Sequence, residues 1–591
     1  MVYPMTINLS RITYIIDSLV KIPSYALLGE THERIVFLST REGVLSLWSI
    51  DLEGKDLKRL TIEPITDALI TRTKSPYVIF LRDITKGREL HRLFMVDARG
   101  GEERLIAETP LMRIFSASYD GSKIAFTGAT SGGIGLYISD LKGNWEKLTD
   151  LDIIAFTTDL NDKYIVGFGN LRKDPRTFEL FIYDMDTSEL KVYTPKEGSN
   201  NKAPLLYDER LLFESNFNGK NRLYLYDPET NEISEVKFTH NDYYDYDPVE
   251  HDYYGWTNEK ILWAIGKKNG RSKLFLDGKE IPTPTGTIHG IPAFHGKHVF
   301  LAISNIVTPT KIYKINISDG TTNILIDNKL PDDIAKSLGK VEFVKYRSFD
   351  DLDIPMYIVY SNISSKPGPG VVYVHGGPWS EVRDVWSIMI ASLVANGYHV
   401  LAPNFRGSTG YGDEFRTLDI GDPGGGDLLD TVYARKWGID NKVVKEDQVA
   451  IMGYSYGGYM TYLAIGKYPD LWKCGVAGAG IIDWEEMYGL SDAIFKKFIE
   501  VLFAGKHELW KERSPITYVE NIKSPLCIIH PQNDTRTPLK PVLRYMNRLL
   551  ELGKTFEAHI APDMGHRIVK MDDAVKILLP ALIFLERYLK I

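Results

Sequence analysis

From Val449 to Ile465 the chain reads Val-Ala-Ile-Met-Gly-Tyr-Ser-Tyr-Gly-Gly-Tyr-Met-Thr-Tyr-Leu-Ala-Ile. The apolar Val449–Met452 reads as a buried strand, and Tyr459–Ile465 reads as a helix. The Gly-x-Ser-x-Gly motif between them, Gly453-Tyr454-Ser455-Tyr456-Gly457, is a turn so tight that its central residue is strained and only very small residues fit two places to either side. Glycines stand at both. Such a turn lifts the Ser455 hydroxyl off the sheet edge and aims the next N–H, that of Tyr456, at a substrate oxygen. Ser455 is therefore the candidate nucleophile.

Strands and helices alternate on both sides of this turn. Val371–Val374 is a buried strand run; a helix-like stretch Ser387–Ala395, the strand His399–Ala402 and a helix-like Asp427–Trp437 lead to the turn; strands Gly475–Gly478, Leu526–Ile529 and Phe556–Ile560 follow it. That order predicts a parallel, doubly wound sheet with its chemistry at the carboxyl ends of the strands. Gly424-Gly425-Gly426-Asp427 lacks the Gly-Lys-Ser/Thr ending of a phosphate loop and reads as a helix start with Asp427 as N-cap.

A serine hydroxyl needs a base, and the base an acid to fix its tautomer; in α/β-hydrolases they follow in the order Ser, acid, His. Of the histidines beyond Ser455, His559 lies in an alternating strand, His530 ends a strand and His507 lies in a charged stretch. His566 alone stands in a loop just past the last strand, which makes it the candidate base. Asp534, four residues after His530, is the candidate acid; Asp483 and Asp492 fall in an inserted helical region, and Asp563 reads as a turn former. The oxyanion that Ser455 would create needs two donors. Tyr456 N–H is one, and the loop His375-Gly376-Gly377-Pro378 supplies the other from Gly376 or Gly377, since Pro378 has no N–H. Such a mechanism requires no metal and no organic cofactor, and there is no His-Glu-x-x-His for zinc.

Residues 22–330 have a different grammar. Seven short apolar runs, among them Ile35-Val36-Phe37, Val78-Ile79-Phe80 and Ile124-Ala125-Phe126, are each followed by an apolar-aromatic pair: Leu47-Trp48, Leu93-Phe94, Leu136-Tyr137, Leu180-Phe181, Leu223-Tyr224, Leu274-Phe275 and Ile312-Tyr313. Successive pairs lie 38 to 51 residues apart, the period of a propeller blade, and predict a seven-bladed all-β propeller. Three parts are expected: an N-terminal helix over 1–21, the propeller over 22–330, and an α/β-hydrolase catalytic domain over 331–591.

Composition narrows the function. With 44% hydrophobic and 25% charged residues and a net charge of -8, the 591-residue chain resembles a soluble multi-domain protein with no basic footprint for nucleic acid. No apolar run is long enough for a membrane span, the N-terminus reads as an amphipathic helix rather than a signal peptide, and the two cysteines, Cys474 and Cys527, sit in apolar runs as free thiols; a cytoplasmic location is expected. Glutamine occurs only at positions 448 and 532, a weak thermophile-like feature.

The motifs together, Gly453–Gly458, His375–Pro378, Asn404-Phe405-Arg406-Gly407-Ser408-Thr409-Gly410-Tyr411-Gly412, Asp534-x-Arg536-x-Pro538 and Gly565-His566, resemble the prolyl oligopeptidase family of serine peptidases, and within it the acylaminoacyl peptidases, particularly archaeal ones. The resemblance covers essentially the whole chain. It implies that residues 1–21 pack on the hydrolase domain, that the propeller covers the site and filters substrates by size, and that Gly377 is the second oxyanion donor. It also implies that Arg536 holds a substrate carbonyl, and that Trp484, Phe495, Phe498, Ile499 and Leu502 build the pocket for the first side chain. The expected activity is removal of N-acylated amino acids from short N-acylated peptides. A dipeptidyl peptidase, oligopeptidase or carboxylesterase of the same chemistry is the alternative, although no pair of glutamates for gripping a free amino terminus is evident in the propeller. A homodimer or higher homo-oligomer is common among such relatives, and no interface is identifiable from the sequence.

Overall fold

The structure is a computed structural model describing residues 7–71, 75–172 and 174–589. The first six residues of the expected N-terminal segment and the last two of the catalytic domain lie outside these. From Tyr25 to Ile326 the chain lays down antiparallel four-strand groups in succession. The two recurring sequence units are the second and third strands of each group. Phe37 pairs with Trp48, Phe80 with Phe94, Phe126 with Tyr137 and Phe213 with Tyr224. Facing aromatic pairs of this kind contribute roughly 0.2–1 kcal/mol each, and two of them stack with ring centroids 5.5 and 5.3 Å apart. The runs themselves are sealed off: Ile35, Val36 and Phe37 are fully buried.

Seven separate blades do not form. Five four-stranded sheets stand alone, over 67–105, 113–151, 155–193, 201–235 and 250–281, while the strands within 25–59 and 287–326 make one continuous eight-stranded sheet. The joint is a parallel contact of Leu27 with Gly290. Gly290 has φ +79°, and a Cβ there would lie 2.0 Å from the Leu27 carbonyl oxygen, so the first and last groups merge edge to edge because glycine lets the backbones touch. The repeat period counts strand groups and carries no information on whether its two ends fuse. The result is a β-propeller-like body of five free-standing blades and one merged sheet.

The second half is built on eight strands: Leu338–Arg347 (β1), Asp353–Ser361 (β2), Gly368–Val374 (β3), His399–Pro403 (β4), Val444–Tyr454 (β5), Cys474–Gly478 (β6), Leu526–Pro531 (β7) and Phe556–Ala561 (β8). Their order in the sheet is β1-β2-β4-β3-β5-β6-β7-β8. β2 runs antiparallel to β1 and β4, and every pairing from β4 through β3 to β8 is parallel. Central strands covered on both faces explain why β3, β5 and β7 read as unbroken apolar runs. The helix Leu9–Val20 buries Ile12, Ile15, Ile16 and Leu19 in the same core as the helices Ile388–Ala395 and Met571–Tyr588, and Arg11 donates to the Ala395 carbonyl at 3.1 Å. Among the described residues no helix is long and apolar enough to cross a membrane.

Candidate active site

Ser455 sits at the carboxyl end of β5 with φ +59° and ψ −121°, a strained conformation for any residue but glycine. The glycines flanking it are required by contact: a Cβ on Gly453 would lie 2.4 Å from the Gly457 carbonyl carbon, and one on Gly457 2.0 Å from the Val374 carbonyl oxygen. The helix Tyr456–Lys467 begins at the next residue, so Tyr456 N–H is among the first donors of a helix and has no intrahelical acceptor.

The candidate base and acid come from loops after β8 and β7. His566 Nε2 is 2.9 Å from Ser455 Oγ, and His566 Nδ1 is 2.7 Å from Asp534 Oδ2. Asp534 also accepts from the N–H groups of Arg536 and Thr537, both at 2.9 Å, and from the Thr537 hydroxyl at 2.8 Å. Its burial alone would push the carboxyl up; the His566 imidazole and these donors outweigh that and hold it below the ordinary range. Tyr454 fixes the His566 backbone by donating to its carbonyl at 3.0 Å. The sequence thus names a serine, a base and an acid that the fold brings into one hydrogen-bonded chain.

The predicted oxyanion loop lies against the same serine. A Cβ built on Gly376 would be 3.3 Å from Ser455 Cβ, and Gly377 beside it is exposed, with φ +131°. His375 braces the loop, stacked on Phe405 with centroids 4.2 Å apart and bonded to Ser408 at 2.9 Å; burial lowers its pKa to about 4, leaving it neutral. Asp427 is not an N-cap. The helix starts at Gly426 with Gly425 as its cap, and Asp427 points into the core, where it accepts from the Tyr456 hydroxyl at 2.6 Å.

Two family descriptions match the chain: "Acylamino-acid-releasing enzyme-like, N-terminal domain" over residues 36–313 and "Prolyl oligopeptidase family" over residues 385–591. The chain belongs to the prolyl oligopeptidase family of serine peptidases. Dipeptidyl aminopeptidase BIII of Pseudoxanthomonas mexicana is 26% identical over 549 residues, 89% of this chain and 74% of that protein. The acylamino-acid-releasing enzyme of Rattus norvegicus is 28% identical over 252 residues, 41% of this chain and only 34% of that enzyme. A Mycobacterium tuberculosis puromycin-hydrolyzing peptidase superposes with a TM-score of 0.82 at 17% identity, covering 97% of this chain and 96% of its own, a likeness of fold.

In this member of the prolyl oligopeptidase family the propeller reaches the acid and base loops directly. Gly87 packs on Gly565 so closely that a Cβ on Gly87 would lie 2.3 Å from Gly565 N. Asn533 donates to the Lys86 carbonyl at 2.9 Å and Thr535 to the Arg88 carbonyl at 3.2 Å. Glu89, with φ +58° and almost wholly buried, is gripped by Arg536 through Nε at 2.8 and 3.0 Å and Nη2 at 2.7 Å, and by Arg113. Arg113 also bonds Asp492 at 2.7 Å and Thr535 at 2.8 Å. Arg536, expected to face a substrate, therefore spends its Nε–Nη2 edge on the propeller.

Of the five residues expected to line the first side-chain pocket, three are core. Trp484, Ile499 and Leu502 are fully buried, Trp484 against Tyr459 and Phe503 with centroids 5.1 Å away in each case. Phe495 and Phe498 are half-buried and touch the site: Phe495 lies under the Arg113 and Arg536 guanidiniums, and Phe498 packs on Trp379, which follows the oxyanion loop. One helical face carries both kinds of residue because the helix Ala493–Phe503 has its C-terminal half in the core and its start at the seam. Glu89 and Arg113 escaped sequence reasoning. Nothing local marks them; Glu89 gains meaning only from its pairing with Arg536, 447 positions away.

Proposed function

We propose that the chain is a serine exopeptidase that takes N-acylated amino acids off the blocked ends of short peptides. Ser455 attacks the carbonyl of the first residue as His566 removes its proton, and Asp534 holds the imidazole with Nδ1 protonated and balances the imidazolium. The oxyanion lies between the N–H groups of Tyr456 and Gly377; losing one such donor typically costs on the order of 3 kcal/mol of barrier. His566 passes its proton to the leaving amine, and water then repeats the sequence on the acyl-enzyme. The apolar side of Phe495, Phe498 and Trp379 receives the first side chain, and Arg536 offers its remaining edge to a substrate carbonyl.

The observation that carries the blocked-end reading is the charge balance at Glu89. A free ammonium needs an unspent carboxylate, whereas Glu89 already faces the Arg536 and Arg113 guanidiniums and Asp492 shares that of Arg113. The test is product analysis by mass spectrometry on one short peptide in acetylated and free forms. Release of the acetylated first residue with the free form spared is expected; release of a dipeptide from the free form sinks the acyl specificity. Normal turnover by Ser455→Ala sinks the triad.

A second reading has one observation behind it: a relative matching 89% of this chain is a dipeptidyl aminopeptidase. The same triad cleaves esters and amides alike, so the substrate end decides. If the propeller filters by size, unfolded proteins are cut far more slowly than short peptides, and equal rates remove the filter. Cys474 and Cys527, free and buried, fit the reducing cytoplasm.

A further inference from the structure

Trp379 stands two residues after Gly377 and folds back on it, so that a Cβ on Gly377 would lie 2.7 Å from Trp379 N. Gly376, one residue earlier, is the glycine placed against Ser455, 3.3 Å from its Cβ by the same measure. The half-buried indole meets Phe498 edge to face with centroids 5.5 Å apart, and Phe498 meets Phe495 at 6.0 Å. Three rings therefore run from the oxyanion loop to the Arg536 guanidinium, which lies 5.8 Å from the Phe495 ring. The indole is tethered at its nitrogen: Nε1 donates to Asp419 Oδ1 at 3.2 Å. Asp419 has no role in the chemistry above. It is almost wholly buried, and its Oδ2 has no hydrogen-bond partner among the described residues.

A buried carboxyl with a single partner is costly, and its surroundings show what it holds. It lies on the backbone of Gly407, where a Cβ would come within 2.5 Å of Asp419 Cγ. Two residues further along the same turn, Gly421 N–H donates to the Leu502 carbonyl at 2.8 Å, and Lys506 Nζ donates to the Gly421 carbonyl at 3.2 Å. The turn thus grips the end of the helix Ala493–Phe503 by its backbone and the indole by its side chain, which fixes the gap between Trp379 and Phe498. The backbone after the oxyanion loop is secured separately: Thr409 N–H donates to the Ser380 carbonyl at 3.0 Å, and Val382 N–H to Asn404 Oδ1 at 2.7 Å. Loss of the tether therefore frees a ring while the loop that carries Gly377 stays held. Burial, and then the Asp427 charge, push the Asp419 carboxyl well above the ordinary range, against the pull of the Trp379 bond. A neutral acid accepts from an indole N–H as an amide does.

We propose that Asp419 is a positioning residue for the first side-chain pocket: by holding the Trp379 indole against Phe498 it makes a fixed aromatic wall that favours an aromatic first residue over alanine. This rests on the peptidase reading of Ser455, Asp534 and His566 and deepens its account of the pocket. An aromatic side chain gains from wall rings that stay put, because its edge-to-face and offset contacts depend on their orientation. A ring already held also loses no rotamer freedom when the substrate arrives. A methyl group reaches too little of the wall to register either effect.

The experiment measures kcat and KM for two N-acetylated tripeptides that differ only in the first residue, phenylalanine or alanine, on the full-length protein and its variants. The wild type is expected to prefer phenylalanine in kcat/KM. Asp419→Leu, which keeps the branched shape and removes the acceptor, should lower that preference by about three- to tenfold, through KM for the phenylalanine peptide and with little change in kcat. Asp419→Asn, which keeps an oxygen for the indole, should retain it. In a Trp379→Phe background, which has no N–H to hold, Asp419→Leu should change the preference no further. A wild type indifferent to the first residue, a preference that survives Asp419→Leu, a loss in Asp419→Asn as large as in Asp419→Leu, or an undiminished effect of Asp419→Leu in the Trp379→Phe background each overturns the tether and leaves the peptidase reading standing. Failure to cleave either peptide overturns both. If Asp419→Leu does not fold, Trp379→Phe alone decides, since it removes the same bond from the other end: the preference should fall, and an unchanged preference overturns the tether.

Discussion

The two sides of the candidate site each hold a buried carboxylate, and the two are pushed in opposite directions. On the nucleophile side Asp427 is bonded to the Tyr456 phenol within the hydrolase core, and burial pushes it up to about 6. On the acid-base side Asp534 meets an imidazole and three further donors in a loop that the propeller touches, and it is pulled below the ordinary range. The Tyr456 phenol and the Gly424 and Leu428 N–H groups offer Asp427 hydrogen bonds but no charge, so desolvation wins there; the His566 imidazole and the donors of Thr537 reverse the outcome for Asp534. The difference separates the two sides by owner. The Ser455 turn is held within its own domain, through Gly453, Gly457 and Asp427, whereas the loops of Asp534 and His566 also meet propeller residues 447 and 478 positions away in the chain.

Asp534→Asn should do the largest damage. An amide in place of the carboxylate leaves His566 in the wrong tautomer, and kcat should fall by about 10⁴-fold with the protein still folded. Steady-state kinetics beside a circular-dichroism melt separate the two; a drop under tenfold would mean that Asp534 is not the acid partner.

Asp427→Asn tests the other side through pH. The folded carboxyl titrates near 6 against an ordinary 3.8, so the native state holds its proton more tightly than the unfolded chain. Stability therefore falls as pH rises from about 4 to 6, by up to about 3 kcal/mol, and stays lower above that. The asparagine variant should lose this decline, read as urea midpoints at pH 4 and pH 7. Asp534 has the opposite sign, its stabilisation being lost as pH falls below the carboxylate range, so Asp427→Asn should expose a steeper acid limb.

This division also explains what the sequence could reveal. That Ser455, Asp534, His566 and the Gly376–Gly377 loop would come together was legible because each is set by local rules: a glycine that must be small, a loop after a strand, an order along the chain. The propeller strands were legible as paired apolar and aromatic units, since Phe37–Trp48 and its equivalents lie close in sequence. Illegible were contacts between distant segments that share no pattern. The fusion at Leu27–Gly290, the docking of Gly87 on Gly565 and the Glu89–Arg536 pair each join segments more than 250 residues apart. Trp484, Ile499 and Leu502 show a related limit, because an apolar helix face reads the same whether it lines a pocket or fills a core.

Gly87→Ala asks whether the acid and base loops truly lean on the propeller. The added methyl would clash at 2.3 Å with Gly565 N, at a residue with φ +96° that disfavours any side chain. The His566 loop must then shift, and a displacement near 1 Å typically costs about 10²-fold. The loss should fall on kcat, with Ser455 still labelled by a fluorophosphonate, although more slowly. If kcat is unchanged, the base is held by its own domain and the contrast between the two sides collapses.

Glu89→Gln should have the smallest effect, and it distinguishes the propeller's two contributions. Glu89 touches neither Asp534 nor His566; it orients Arg536 by a bidentate grip and neutralises Arg113. Removing its charge leaves Arg536 free to wander, and a substrate carbonyl held by a wandering guanidinium binds less well. KM for an acetylated peptide should rise by about tenfold, while kcat changes within a few-fold because the Ser455–His566–Asp534 chain is untouched. Discrimination against a free amino terminus should persist, since the variant adds no carboxylate. A fall in kcat at constant KM would instead mean that Glu89 acts through the catalytic loops, as Gly87 does, and that the propeller positions the chemistry rather than the substrate.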